Sequence, residues 1–196
     1  MAASTKSQPR RRVPAAERRD ALIEAAVHHF AHGGLHGTKV SAIAADVGVA
    51  QPYVFSLFPT KRDLFLAAKG RCFEKVAAHF EMTGEEFDRN GPQEPDEDKL
   101  KALGRSYMDL IADDPDLLLL QLQAYAACGD DEEIRKSVRR QYAELVEVCR
   151  RVSGIDDERL DSFFQTGMWC NVAAALGVED FGVGSGWVER SLKSDG

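Results

Sequence analysis

Three groups of side chains in this 196-residue sequence have the types and spacing to do chemistry. His28, His32 and His36 recur at intervals of four, so His28 and His32 share one helix face, as a metal-binding pair does. The helix carrying them is expected to end at Gly33-Gly34, before His36, and no carboxylate or Cys completes a ligand set. They are read as ordinary partners of a helix C-terminus, with no metal. The four cysteines, Cys72, Cys128, Cys149 and Cys170, form no C-x-x-C and have no close His. Each sits in an apolar helical context, the setting of buried, reduced thiols. The third group is the run AIAADVGVAQPYVFSLFPTKRDLF, Ala42 to Phe65, where Gln, Tyr, Lys and aromatics surround a Gly and a Pro. No nucleophile is paired with a base and no phosphate loop is visible, so the sequence predicts no enzyme and calls for no cofactor.

The elements that must position these groups are helical throughout. Leu22, Ile23, Ala26, Val27 and Phe30 fall at helical spacing, and Gly33-Gly34 supplies a C-cap. Thr38 is expected to cap a second helix with Val40, Ile43, Ala44 and Val47 on its inner side. Gly48 makes a turn. A third short helix follows, tolerating Pro52 because it lies in the first turn, with Val54 and Phe58 facing inward. Thr60 caps a fourth helix through about Met82. Two short helices joined by a Gly turn are the signature of a helix-turn-helix. The polar stretch TGEEFDRNGPQEPDED is read as a loop or frayed helix end. Four further helices are expected over about residues 96–113, 115–128, 131–153 and 156–176, three of them opened by aspartates that suit helix N-termini. One more helical turn is expected around Trp187 to Leu192. The fold class is all-α.

Charge divides along the chain. Overall the net charge is −7, yet residues 1–70 carry +5 and the rest −12. A basic head on an acidic body is suited to a protein whose head alone meets a polyanion. Arg10, Arg11 and Arg12 lie in an expected flexible arm, residues 1–14, that is either a minor-groove probe or a solvated tail. The most apolar run, Leu117 to Cys128, is broken by glutamines and is shorter than the roughly 20 residues needed to span a bilayer. No apolar signal segment is recognisable, so a cytoplasmic protein without a membrane partner is expected.

Residues 17–66 resemble the DNA-binding domain of the tetracycline-repressor (TetR) family. The family pattern runs roughly Gly-Val-Ser, Tyr-x-x-Phe, x-Ser-Lys, acidic, Leu. Here it reads Gly48, Val49, Ala50, then Phe55, Phe58, Thr60, Lys61, Asp63 and Leu64. The resemblance implies a three-helix DNA-binding domain over 15–60, joined by the long fourth helix to a helical ligand-binding and dimerisation domain over 61–196. A reading helix presents its N-terminal side chains to base edges. Ala50, Gln51, Pro52 and Tyr53 occupy that end, and the Gln51 amide is suited to bidentate pairing with adenine. Thr38, Lys39 and Lys61 fall where phosphates would be held. Phe55 stands where the family usually has a phosphate-bonding Tyr, and Leu57 where an aromatic or His is usual. At least one backbone contact is therefore lost or passed to Tyr53 or Ser56.

For the body, the resemblance implies a sequence-specific regulator, most simply a homodimeric repressor released from a pseudo-palindromic double-stranded operator by a small, mostly apolar effector. The alternative is a constitutive or architectural regulator with a filled core. Candidate ligand contacts are Tyr107, Met108, Ile111, Gln121, Tyr125, Phe164 and Met168, with Gln123 a further polar handle. Phe163, Gly167, Cys170, Asn171 and Ala174 form a stripe suited to close helix approach between subunits.

Overall fold

The computed structural model describes residues 14–178, and among them it contains eight α-helices and no strand. These are α1 (Ala15–Gly37), α2 (Val40–Asp46), α3 (Gln51–Leu57), α4 (Lys61–Asn90), α5 (Lys99–Asp113), α6 (Pro115–Ala127), α7 (Glu132–Ser153) and α8 (Asp157–Ala175). The Arg10–Arg12 arm and the turn expected around Trp187 lie outside the described residues.

α1 buries Leu22, Ile23, Ala26, Val27 and Phe30, the apolar positions of its helical repeat. Its regular course breaks at Gly34, which takes φ 61° and ψ −177°, a conformation open to glycine alone. The helix thus bends at the expected pair and continues for one more turn. A Cβ at Gly34 would lie 2.7 Å from the Gln123 side-chain oxygen of α6. Gln123 therefore supports α1 rather than offering a handle to a cavity. Thr38 also departs from expectation. The cap of α2 is Lys39, without a side-chain bond, because the Thr38 hydroxyl donates to the His29 carbonyl (2.9 Å) and closes the end of α1.

Thr60 caps α4 as its sequence position predicts. Asp63 N–H donates to the Thr60 hydroxyl (3.1 Å) and Thr60 N–H donates to the Asp63 carboxylate (2.9 Å), a reciprocal capping box. The helix then runs 30 residues, through the TGEEFDRN segment expected as a loop or frayed helix end, to Gly91 at φ 77°. Tertiary contact overrides the weak local signal there. Gly84 packs so closely on Val152 of α7 that an added Cβ would overlap it. Thr83 donates back to His79 O (2.9 Å) and lies 3.0 Å from the Ser106 hydroxyl of α5. Asp98, Asp131 and Asp156 cap α5, α7 and α8 with side-chain bonds to backbone amides.

Two apolar clusters hold the molecule. The first joins α1, α2 and α3 to the near half of α4, to Leu117, Leu120 and Ala124 of α6, and to Ile134 and Val138 of α7. The second joins Phe73, Val76 and Phe80 of α4 to Leu103 and Tyr107 of α5, Leu145 of α7 and Leu160 of α8. α6, apolar all round, lies between them and packs on α1, α4, α5, α7 and α8. The core of the first three helices is thus completed by α4 and α6.

Candidate functional site

The head is built by one turn. At the end of α2, Val49 N–H donates to Ala44 O (2.9 Å) and Gly48 N–H to Ala45 O (3.0 Å), with Gly48 at φ 69°. This pairing satisfies the last carbonyls of α2 and reverses the chain through a left-handed residue. α3 leaves at 100° to α2, within the range of helix-turn-helix units. Val54 and Phe58 are 1% and 2% exposed, and they anchor α3 on α1 and α4. Pinning that face leaves Ala50, Gln51, Pro52, Phe55 and Ser56 exposed, with Tyr53 half-buried.

The surrounding charges are arranged around this face. Arg18 stands 5.8 Å from the Tyr53 ring centre and Arg19 4.9 Å from that of Phe58, so α1 lays two guanidinium groups on the aromatics of α3. Sequence reasoning missed both arginines, whose only signal was a basic pair in the first turns of α1. Lys39 is exposed at the start of α2. Lys61 donates to His36 O (2.9 Å), and partial burial lowers its pKa. One of its three N–H groups is thereby committed to the end of α1, and the others are free of that bond. Arg62 is turned to the body, 3.2 Å from Asp131. Ser56 donates to Tyr53 O (2.6 Å). Thr38 is 7% exposed and serves the fold rather than the surface.

In the body, Val76 and Phe80 of α4, Tyr107, Gln121, Tyr125, Tyr142, Leu145 and the inner side of α8 surround a small cavity of ≈ 40 Å³. Its polar wall is a closed triad. The Tyr107 hydroxyl donates to Asn171 Oδ1 (2.8 Å), Asn171 Nδ2 donates to Gln121 Oε1 (2.9 Å), and that oxygen lies 3.2 Å from the Tyr107 hydroxyl. Burial pushes the Tyr107 phenol up to about 12 and also raises Tyr125, so both stay neutral donors. Between α5 and α8 a larger open groove, ≈ 450 Å³, is lined by Leu100, Met108, Phe163, Cys170, Lys101, Arg105 and Arg159.

Of the expected ligand contacts, Tyr107, Gln121, Tyr125, Phe164 and Met168 line the cavity. Met108 lines the α5–α8 groove instead, and Ile111 is filled core. The stripe expected between subunits is half-buried at Phe163, Gly167, Cys170 and Ala174 and buried at Asn171. Phe163, Gly167 and Asn171 line the cavity, Cys170 the groove, and Ala174 packs on the second cluster. Toward the chain's own α5 the close approach is at Phe163, 3.4 Å from where a Cβ on Gly104 would sit, while a Cβ on Gly167 would meet nothing within 4 Å. Val172 and Leu176, 39% and 63% exposed, are the large apolar residues that α8 and its C-cap leave on the surface. All four cysteines are free thiols, and burial pushes Cys72 and Cys149 up to about 12. His28 and His32 both meet Asp116 of α6, a carboxylate too distant in sequence for their spacing to reveal.

A short helix pinned by its apolar face and exposed at its N-terminus, with cations from α1, Lys39 and α4 about it, defines an all-α protein with a helix-turn-helix head, the architecture of many DNA-binding domains. Residues 22–68 match the family model of bacterial regulatory proteins, tetR family, so the head of this chain is similar to that family's DNA-binding domain. No curated protein matches the chain in a sequence search. Solved structures share the whole fold. A TetR-family transcriptional regulator from Rhodococcus sp. is 20% identical, over 85% of this chain and 91% of its own, with a TM-score of 0.61. FadR from Bacillus subtilis, solved with stearoyl-CoA, is 20% identical over 82% and 89%, with a TM-score of 0.63. A transcriptional regulator from Saccharomonospora viridis, solved with choline, is 18% identical over 86% and 90%, with a TM-score of 0.61. Among the described residues no single helix is long and apolar enough to cross a membrane.

Proposed function

We propose that the protein is a homodimeric repressor that holds a pseudo-palindromic operator and releases it when a small, mostly apolar molecule enters the body. The observation that carries this reading is α3, whose Gln51, Pro52 and Phe55 are exposed while Val54 and Phe58 are sealed in the core. Gln51 reads base edges, Ala50, Pro52, Tyr53 and Phe55 shape the groove contact, and Lys39 and Lys61 meet phosphates. Thr38 contributes by holding the end of α1 in place. Residues 15–60 do the reading and residues 61–196 the sensing and pairing. Pairing through α7, α8 and the exposed Val172 and Leu176 would set two reading helices about one DNA turn apart, roughly 34–36 Å.

The effector reading is supported by the cavity's wall, mostly apolar and aromatic with the Tyr107–Gln121–Asn171 triad and the phenols of Tyr125 and Tyr142 as its polar groups, which suits a mostly apolar molecule bearing a polar group. FadR and the Saccharomonospora protein, with this fold, were solved with stearoyl-CoA and choline. The cavity here is small, so occupancy must part α8 from α4 and α5. That requirement gives a ligand different affinities for two conformers, the condition for linkage to DNA binding. The same small volume favours the constitutive alternative, and ligand-dependent thermal stabilisation separates the two. In either reading the protein acts in the cytoplasm by binding, without catalysis.

The test is selection of bound duplexes from a random-sequence library, followed by affinity against salt. An enriched palindrome with a steep salt slope is expected. Weak binding without enrichment refutes the assignment of α3 as a reading helix.

A further inference from the structure

We propose that His28, His32 and Asp116 form a binding site for a borderline divalent transition ion such as Zn²⁺ or Ni²⁺, clasping α1 to α6. His28 and His32 lie one turn apart on α1, with ring centres 4.8 Å apart. Asp116 enters from the first turn of α6 and takes one ring on each oxygen: His28 Nδ1 at 2.8 Å from Oδ2 and His32 Nε2 at 2.9 Å from Oδ1. One ligand atom from each residue can be chosen so that all three lie within 4.8 Å of one another. Metal–ligand bonds of about 2.0–2.1 Å in a tetrahedron place ligand atoms roughly 3.3 Å apart. The carboxylate must therefore back away by about 0.5 Å and the ring nitrogens close by up to about 1.5 Å, adjustments within the reach of side-chain rotation.

The donor set narrows the ion. Two imidazoles and one carboxylate leave a fourth position for water, and imidazole selects first-row transition metals over Mg²⁺ or Ca²⁺, which take oxygen. His28 and His32 side chains are 63% and 55% exposed, so the ion has an open path. The carboxylate lies at a helix N-terminus, where negative charge is favoured before any ion arrives. The other histidines of α1 do not join this group. His29 is bound to Asp46 at 2.6 Å, and His36 stands 3.9 Å from Asp130. The site spans the joint between head and body, because α6 also presents Gln121 to the cavity and Gln123 to Gly34. An ion there fixes the start of α6 to α1. The site itself does not depend on the repressor reading.

The experiment is calorimetric titration of untagged, chelator-stripped full-length protein with Zn²⁺ and Ni²⁺ salts, with Co²⁺ absorption as a report on ligands. One ion per chain is expected, together with a rise in melting temperature. His32→Ala and Asp116→Asn should each weaken binding by at least about tenfold, the lower bound seen when even supporting groups of a metal site are removed. His36→Asn, on the same helix, should leave affinity unchanged. Circular dichroism melts without metal establish that each variant folds. Absence of saturable binding, or binding that survives both His32→Ala and Asp116→Asn, overturns the site and leaves a plain histidine–aspartate clasp. Neither result bears on operator selection.

Discussion

Lys69 offers the sharpest test of the packing between α4 and α7. Its side chain is fully buried. Nζ lies 3.5 Å from the Ser137 hydroxyl and 5.0 Å from the centre of the Phe73 ring, and among the described residues it makes no ion pair within 4 Å. Burial, the dominant cause, drags its pKa from 10.5 to about 8, against opposition from Cys128 and, more weakly, Glu144, and with a smaller push in the same direction from Arg140. At about 1.4 kcal/mol for each tenfold in proton affinity, holding the charge in that seam costs about 3 kcal/mol. Lys69→Met keeps the stem's length and removes the charge, so it should stabilise the protein at pH 7 by about 1–3 kcal/mol. The sign with pH follows from proton counting. Between about 8 and 10.5 the unfolded chain holds a proton that the folded chain has released, so the parent gains stability as pH rises through that window. Below about 8 both forms are protonated and the penalty stands in full. Urea unfolding of both proteins at pH 7.0 and 9.5 measures the gap, and effects from other groups cancel in the difference. The advantage of the variant should shrink by about 2 kcal/mol at the higher pH. A destabilised variant, or a gap that does not change with pH, refutes the account of an unpaired buried ammonium.

Further substitutions test the head and the body. Gln51→Ala should relax preference at particular base positions at a cost of about 1–3 kcal/mol on the best sequence, whereas Lys61→Ala should weaken all sequences alike and reduce the salt slope by about one, both read by fluorescence anisotropy across a set of duplexes. Gly84→Ala should cost about 1–3 kcal/mol through overlap with Val152, and Val152→Ala in the same chain should return much of that loss; additive losses in denaturant melts would remove Gly84 as the reason that the far end of α4 is helical.

Local signals carried the head. Gly48, Thr60 with Asp63, and the Val54–Phe58 spacing each specify a turn, a cap or a buried face within a few residues, and each is realised as such. Long-range contacts decided what sequence spacing could not. TGEEFDRN is polar and contains a glycine, yet it stays helical because α5 and α7 hold it. Asn171, placed in the same stripe of α8 by its spacing, is buried instead in a hydrogen-bonded triad with Tyr107 and Gln121, partners 64 and 50 residues away. Thr38 has the identity of a cap, but the carbonyl of His29, nine residues earlier, claims its hydroxyl. Asp116 lies more than eighty residues from the histidines it joins, beyond any periodicity.

The unbroken course of α4 makes it a lever. Val76 and Phe80 touch the cavity, while Lys61, fifteen residues before Val76, abuts the end of α1. Fifteen residues of α-helix span about 22 Å. A tilt of about 10° pivoting near Val76 therefore sweeps the Lys61 end through about 4 Å, more than the 3.4 Å that separates successive bases on one strand. A displacement too small to break any cap in the body thus becomes a shift of several ångströms at the end that carries Lys61, and the rigidity of one helix performs the amplification.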